Sequence, residues 1–335
     1  MPSSRLPLTP SSRLTRRALG LCAVGAVATL AFGAANAAGA WPSRPIMMTV
    51  GSPAGSLPDT VARDLVARIG MALGQPIVVE NVPGAGGVVG MDRVRQAAPD
   101  GHRFIFTNIG AVVISPALQK SFPYDPVRDF DAVSLISTGP MVLVASTSLG
   151  VETLAQLLEL ARRKPMMYGS VGIGTPPHIF VEQLKAATRL PLDHVPFKGS
   201  NGLAQALLGD HVSVGMEALT VLLPLIEGGK VRPLAVSGEK RLALLPQVPT
   251  FSELGVPSIG VAWLAVMAPK GTLPEAVTAM NRELTRVLAQ PDLRTAWAAI
   301  GRHVGGGPPE VLEDRIRTEL PRWKSIIDSA GIRPE

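Results

Sequence analysis

Three observations predict an α/β fold arranged as two lobes. From Trp41 onward, short β-rich runs alternate with amphipathic segments, and Gly- and Pro-rich turns separate the two kinds. The chain has 335 residues, 46% of them hydrophobic, which is enough for more than one core. The runs Ile46 to Val50, Ile77 to Glu80, Phe104 to Thr107 and Val142 to Ala145 read as strands. So do Met167 to Ser170, Val212 to Met216, Leu234 to Val236 and Leu264 to Met267.

Between them, Val61, Leu65, Ile69 and Leu73 recur every four residues and mark one helical face; Leu154, Leu157, Leu158 and Ala161 mark another. The alternation predicts mixed, mainly parallel sheets flanked by helices. Strands crossing between lobes are expected near Pro140 and near Gly260. This gives a first lobe of residues 41–140 plus 262–335 and a second of 141–261. The segment from Pro274 reads as helices, and the long one ending near Ala330 is expected to pack back on the first lobe.

The formal charge is +6, but Arg5, Arg13, Arg16 and Arg17 supply much of it with no acid nearby. Without those four arginines, 28 of the 32 Lys and Arg remain against 26 Asp and Glu, a balance that predicts no nucleic-acid partner. Aromatics are only 4% of residues, so no base-stacking platform is expected either.

Residues 1–37 read as a cleaved export signal. "SSRLTRRALG" gives a twin-arginine start, "LCAVGAVATLAFGAA" an uncharged stretch, and Ala35-Asn36-Ala37 a small-x-small cleavage site. The expected location is the periplasm. Cys22, the one cysteine, would leave with the signal, so neither a disulfide nor a thiol nucleophile is expected.

Two loops carry the candidate site. In "TVGSPAGSLPDTVARDL" the chain leaves a strand and enters a helix through Ser52, Pro53, Ala54, Gly55, Ser56 and Asp59, with Pro58 near the first helical position. Free amides at such a start can hold a carboxylate without any cationic side chain. "YGSVGIGTPPHIF" repeats the pattern with Ser170, Gly172, Gly174 and Thr175 ahead of Pro176 and Pro177.

Sharper motifs fail on spacing. "GAGGVVG" reads G-x-G-x-x-x-G, and Pro83 interrupts its turn, so no dinucleotide site is expected. "YGSVG" has Tyr168 where a hydrolase elbow needs its first glycine. A Ser170–His178 pair defines the enzyme alternative, an exported serine hydrolase, although His178 in the first helical turn reads as a local cap. No His, Cys or acidic spacing suggests a metal, and no cofactor or catalytic residue is expected.

A family resemblance rests on ordered motifs across residues 41–335. "WPSRPI", "SPAGSLPD", "ENVPGAGGVVG", "FPYDPVRDFDAVSLI", "GSVGIGTPPH", "HVPFKG", "LPQVPTFSELG" and "AGIRPE" resemble those of the tripartite tricarboxylate transporter receptors, or Bug proteins. The resemblance implies a type II-like periplasmic binding protein fold. It also implies a monomer without enzymatic activity that closes on a small carboxylate, such as a dicarboxylate, amino acid or aromatic acid, and presents it to inner-membrane permease subunits.

Carried over residue by residue, the ligand loops are Pro53 to Ser56 with Asp59, and Ser170, Gly172, Gly174, Thr175 and His178. Ser52 replaces the family's usual aromatic, which implies a more polar pocket floor. Glu217 stands where the family often has Asp; facing the ligand it would favour an amine, and otherwise it is solvated or bridges the lobes. Asn108 and Lys198 are further candidates for the cleft wall, and for Lys198 an exposed role is equally compatible with the sequence. A sensor that feeds a two-component system shares all these features.

Overall fold

The computed structural model describes residues 41–119, 121–257 and 259–332. The export signal expected over residues 1–37 lies outside the described residues.

The chain runs β1 (Ile46–Val50), α1 (Leu57–Leu73), β2 (Ile77–Asn81), α2 (Val88–Arg95), β3 (Arg103–Asn108) and, after a π-helical turn at Gly110–Ile114, α3 (Ser115–Leu118). Then follow β4 (Phe130–Gly139), β5 (Met141–Ser146), α4 (Leu154–Arg163), β6 (Met166–Ser170), α5 (Pro176–Thr188) and β7 (Leu192–Pro196). The second half holds α6 (Gly199–Leu208), β8 (Val214–Ala218), α7 (Leu219–Glu227), β9 (Val231–Val236) and β10 (Ala262–Pro269). It ends with α8 (Pro274–Leu288), α9 (Pro291–Ala299), β11 (His303–Val304) and α10 (Glu310–Ala330).

These strands form two sheets, ordered β11-β4-β10-β3-β1-β2 and β7-β6-β8-β5-β9. Only Pro140 separates β4 of the first sheet from β5 of the second. The chain returns between β9 and β10.

The sheets are mixed, and not mainly parallel. β1 pairs in parallel with β2 and β3, and β6 with β7 and β8. Every pairing made by β10, β5 or β11 is antiparallel. For β5 and β10 the physical reason is the crossing: a strand entering from the other sheet is not delivered by a right-handed β-α-β connection, so nothing constrains it to run parallel.

One core joins both sheets. Leu143 and Ala145 of β5 and Tyr168 of β6 share a buried cluster with Ile105, Trp263 and Met267 of the first sheet. The alternate β5 residues Val142 and Val144 point to the opposite face, against Leu203, Leu207 and Leu222. Both faces of β5 are therefore dry, which fits its uninterrupted apolar sequence.

The last helix does more than cover the first sheet. α10 packs on β4, on the π-helical turn and on α3, and also reaches α5 behind the second sheet. There Trp323 stacks on Phe180 with ring centroids 5.5 Å apart. Trp263 Nε1 donates to Glu319 at 2.9 Å.

Candidate functional site

The carboxyl ends of β1, β2, β3, β6, β7 and β8 open on one cleft of about 770 Å3 between the two sheets. Ligands of open α/β sheets bind at this position, because the strands end there and helices begin. The starts of α1 (Leu57, Pro58), α6 (Gly199, Ser200) and α7 (Leu219, Thr220) all line it. The first amides of each helix have no intrahelical acceptor, so three positive helix ends converge on one space.

Several expected residues line this cleft: Ser52, Pro53, Ser56, Asn108, Gly172 and Thr175, with Lys198 and Glu217. Others do not. Ala54, Gly55 and Asp59 build the first loop from behind. The Asp59 carboxylate is buried, and accepts from the Gly55 amide at 2.8 Å, Asn81 Nδ2 at 2.8 Å and Arg63 Nε at 3.0 Å. Gly55 thus has its amide engaged by its own chain, and its φ of +74° sets the turn. Burial pushes the Asp59 carboxyl up, but the hydrogen bonds from Arg63, Gly55 and Asn81 outweigh it and hold the group below the ordinary carboxylate range.

The second loop is also self-satisfied. Ser170 is fully buried; its hydroxyl lies 2.7 Å from His194 Nε2 and accepts from the Gly172 amide at 3.1 Å. The Gly174 amide donates to His178 Nδ1 at 3.2 Å. Both the Thr175 hydroxyl and its amide donate to the Gly172 carbonyl. Pro176 and Pro177, at the start of α5, carry no amide hydrogen at all. The expectation that this loop supplies backbone donors is therefore corrected. Its part of the wall is Val171, Gly172, Ile173, Thr175 and the two prolines, which is mostly apolar, with the Gly172 and Thr175 amides turned to their own loop.

The same geometry removes the serine-hydrolase alternative. Ser170 and His178 are buried away from the cleft lining, and His178 caps Gly174 and stacks on His194 at 4.2 Å. No substrate carbonyl placed in the cleft meets that hydroxyl.

Asn108 has a divided role. Its Oδ1 accepts from the Gly110 and Ala111 amides at 2.7 and 3.3 Å, which fixes the turn after β3 and leaves the Nδ2 donors for the cleft.

Glu217 is 3% exposed and lines the cleft, so it is neither solvated nor a bridge between lobes. Its carboxyl accepts from the Ala218 amide at 2.7 Å and from the Ser200 hydroxyl at 3.3 Å. Burial outweighs both and pushes its pKa up to about 7. At neutral pH the group is poised between acid and carboxylate.

Sequence reasoning missed several parts of the wall. The "PGAGG" turn, rejected as a dinucleotide loop, lines the cleft from Pro83 to Gly87. Gly86 is required there, since a Cβ at this position would come within 3.1 Å of the Ile173 carbonyl across the cleft. Trp263 and Thr220 also line it, as does Arg302 in the turn between α9 and β11. Thr220 Oγ1 is buried with no partner in the described structure. Neither Leu219-Thr220, which follows Ala218 with no Gly, Ser or Pro in the approach, nor Arg302 carries a local mark.

Comparison with known proteins agrees with this architecture. The model of the tripartite tricarboxylate transporter family receptor matches residues 61–332. A Pseudomonas sp. (strain P51) protein encoded between tcbD and tcbE is 36% identical over 292 residues, covering 86% of this chain and 87% of its own length. Protein BugT of Bordetella pertussis is 32% identical over 311 residues, covering 92% and 95%. Among solved structures, an R. palustris protein with adipate superposes with a TM-score of 0.83 at 32% identity, covering 88% of this chain and 100% of its own. A Rhodopseudomonas palustris protein with bound malate gives 0.81 at 30% identity, covering 86% and 100%. The chain belongs to the tripartite tricarboxylate transporter receptor family of periplasmic solute-binding proteins.

Proposed function

We propose that this receptor captures a small carboxylate-bearing solute between a lobe of residues 41–140 plus 262–335 and a lobe of 141–261, and presents it to the permease subunits of a membrane transporter. The observation that carries the reading is the convergence of three helix starts and the Asn108 amide on one cleft whose only buried acid, among the described lining residues, is Glu217. Such a wall attracts an anion and offers it preoriented neutral donors. The relatives solved with adipate and malate support the same ligand class.

The donors we assign to the carboxylate are the first-turn amides of α1 and α7 and the Asn108 Nδ2, with Ser52 and Ser56 beside them. Lys198 is exposed at the rim, where it steers anions inward more than it holds them. Backbone donors fixed by the fold need little ordering on binding, and micromolar affinity requires only about 8 kcal/mol. The protein works as an exported monomer, its signal removed near Ala37. No described helix is long and apolar enough to cross a membrane.

A melting screen against mono-, di- and tricarboxylates, amino acids and aromatic acids tests the reading. A true ligand at a hundredfold excess over its Kd stabilises the protein by about 2.7 kcal/mol. If no acid in the panel shifts the transition, the carboxylate reading is wrong.

A further inference from the structure

Arg302 is the feature of the cleft that the reading above leaves unused. It is only 9% exposed and lines the cleft, next to the crossing at Gly139–Pro140. Its guanidinium makes no hydrogen bond or ion pair with any described residue, and its carbon lies 5.0 Å from the centre of the Trp297 ring. A buried arginine without an acceptor is costly, because desolvating the charge costs several kcal/mol that only a partner offsets. Stacking on a tryptophan returns about 1–2 kcal/mol and satisfies none of the five N–H donors.

A half-buried arginine shows what a structural role looks like: Arg103 bonds both Glu80 and Thr49. Arg302 has no such set. Glu217, the buried acid of the same cleft, is held by Ala218 and Ser200 and does not engage it.

We propose that Arg302 is a ligand-binding residue: its guanidinium takes a second anionic group of the solute, at the crossing side of the cleft, remote from the helix-start donors that hold the first. The inference rests on the carboxylate-receptor reading and adds a discriminating contact to it. The cleft lining includes the apolar side chains of Ile173, Met141, Leu219, Trp263 and Ile300, so the ligand class is a short acid with a hydrocarbon body and an anion at each end. Arginine suits that task, since its planar fork meets a carboxylate with two parallel hydrogen bonds.

Calorimetry on the purified protein and on Arg302→Gln and Arg302→Lys, with matched acid pairs, tests this: adipate against hexanoate, and succinate against butyrate. In the native protein the dianion of at least one pair is expected to bind about tenfold tighter than its monoanion, a difference of about 1.4 kcal/mol. Arg302→Gln removes that preference and leaves the monoanion within about threefold. Arg302→Lys keeps a reduced preference, because an ammonium cannot offer the fork. The melting temperature of the unliganded Gln variant should not fall, whereas loss of a structural arginine lowers it.

A dianion preference that survives Arg302→Gln overturns the proposal. Equal binding of mono- and dianions by the native protein also overturns it, while leaving the receptor reading intact. If no acid of either pair, nor of the wider panel, binds, the receptor reading itself has failed. If Arg302→Gln does not fold, the Lys variant decides, through loss or retention of the full preference.

Discussion

At Glu217 the chemistry of the cleft turns on one proton. The side chain sits on β8 where the strand ends, facing the cleft, and burial holds its pKa near 7 against an unperturbed 4.5. A carboxyl whose pKa is raised on folding binds its proton more tightly in the native state. Stability is therefore unaffected below about pH 4.5, declines as pH rises from there to about 7, and is constant above. Glu217→Gln should leave the melting temperature unchanged at pH 4 and raise stability at pH 8, by roughly 1–3 kcal/mol. Binding follows the same proton. In the native protein, affinity for a monocarboxylate should fall by several fold between pH 6 and pH 8.5, and in Glu217→Gln it should stay flat. A solute carrying an amine would show the opposite trend, so the calorimetric sign across pH 7 reports what faces Glu217. A flat profile in the native protein would place the ligand elsewhere in the cleft.

The turn from β1 into α1 shows how an element is made ready for a ligand without touching it. Asp59 ties Gly55, Asn81 and Arg63 together, and Asn81 in turn donates to the Ser52 carbonyl at 3.0 Å. Asp59→Ala leaves these donors without their acceptor and should destabilise the protein by about 2–4 kcal/mol while weakening any ligand held by Ser52, Ser56 or Leu57. Because the Asp59 pKa is depressed, its contribution is present above about pH 4 and is lost as pH falls through the native value. Thermal melts from pH 7 down to pH 3 check this, the variant losing less than the native protein over the acid limb. Gly55, at φ +74° with its amide on Asp59, belongs to the same fastening, so a change there tests the loop first.

Elements of this kind were legible because they are local. Ile46–Val50 is a β-rich run, apolar but for the buried Thr49, and its strand has those bounds. Phe130–Gly139 escaped notice because Asp131, Ser134 and Ser137 interrupt its pattern, and Ser134 and Ser137 are nevertheless buried in the sheet. The cleft was legible as a pair of helix entries, and the first was placed on its wall. Which amides remain free was not, since that depends on Asp59, His178 and the Ser170 hydroxyl folding back on their own loops. Arg302 reaches the wall through the pairing of His303–Val304 with Thr138 and Ser137, a contact across about half the chain.

Across the whole molecule, the two sheets meet in two ways. On one side α10 spans both, locked by the Phe180–Trp323 stack. On the other, loops of the first sheet touch loops of the second at glycines. A Cβ on Gly199 would lie 3.6 Å from Pro53, and one on Gly55 the same distance from Asn201 Nδ2. At Gly110 a Cβ would come within 2.9 Å of the Gly174 carbonyl and 2.7 Å of Asn108 Oδ1. Neither atom has room to yield, because Asn108 Oδ1 is fixed by two amides and Gly174 by its bond to His178. Gly110→Ala should therefore hold the two sets of loops apart, at about 1–3 kcal/mol against the closed arrangement.

If ligand capture depends on that approach, the variant binds about ten- to a hundredfold more weakly and keeps a larger radius of gyration at saturating ligand in small-angle scattering. Gly70→Ala is the matching control. It sits inside α1, where its Cβ would have an ordinary contact of 3.5 Å to the Gln75 carbonyl, and should add about 0.5–1 kcal/mol of stability without changing affinity. Unchanged affinity and radius in Gly110→Ala would mean that the glycine contacts do not govern capture. The selectivity of the receptor would then rest on the cleft wall alone, with α10 holding the two sheets at one fixed separation.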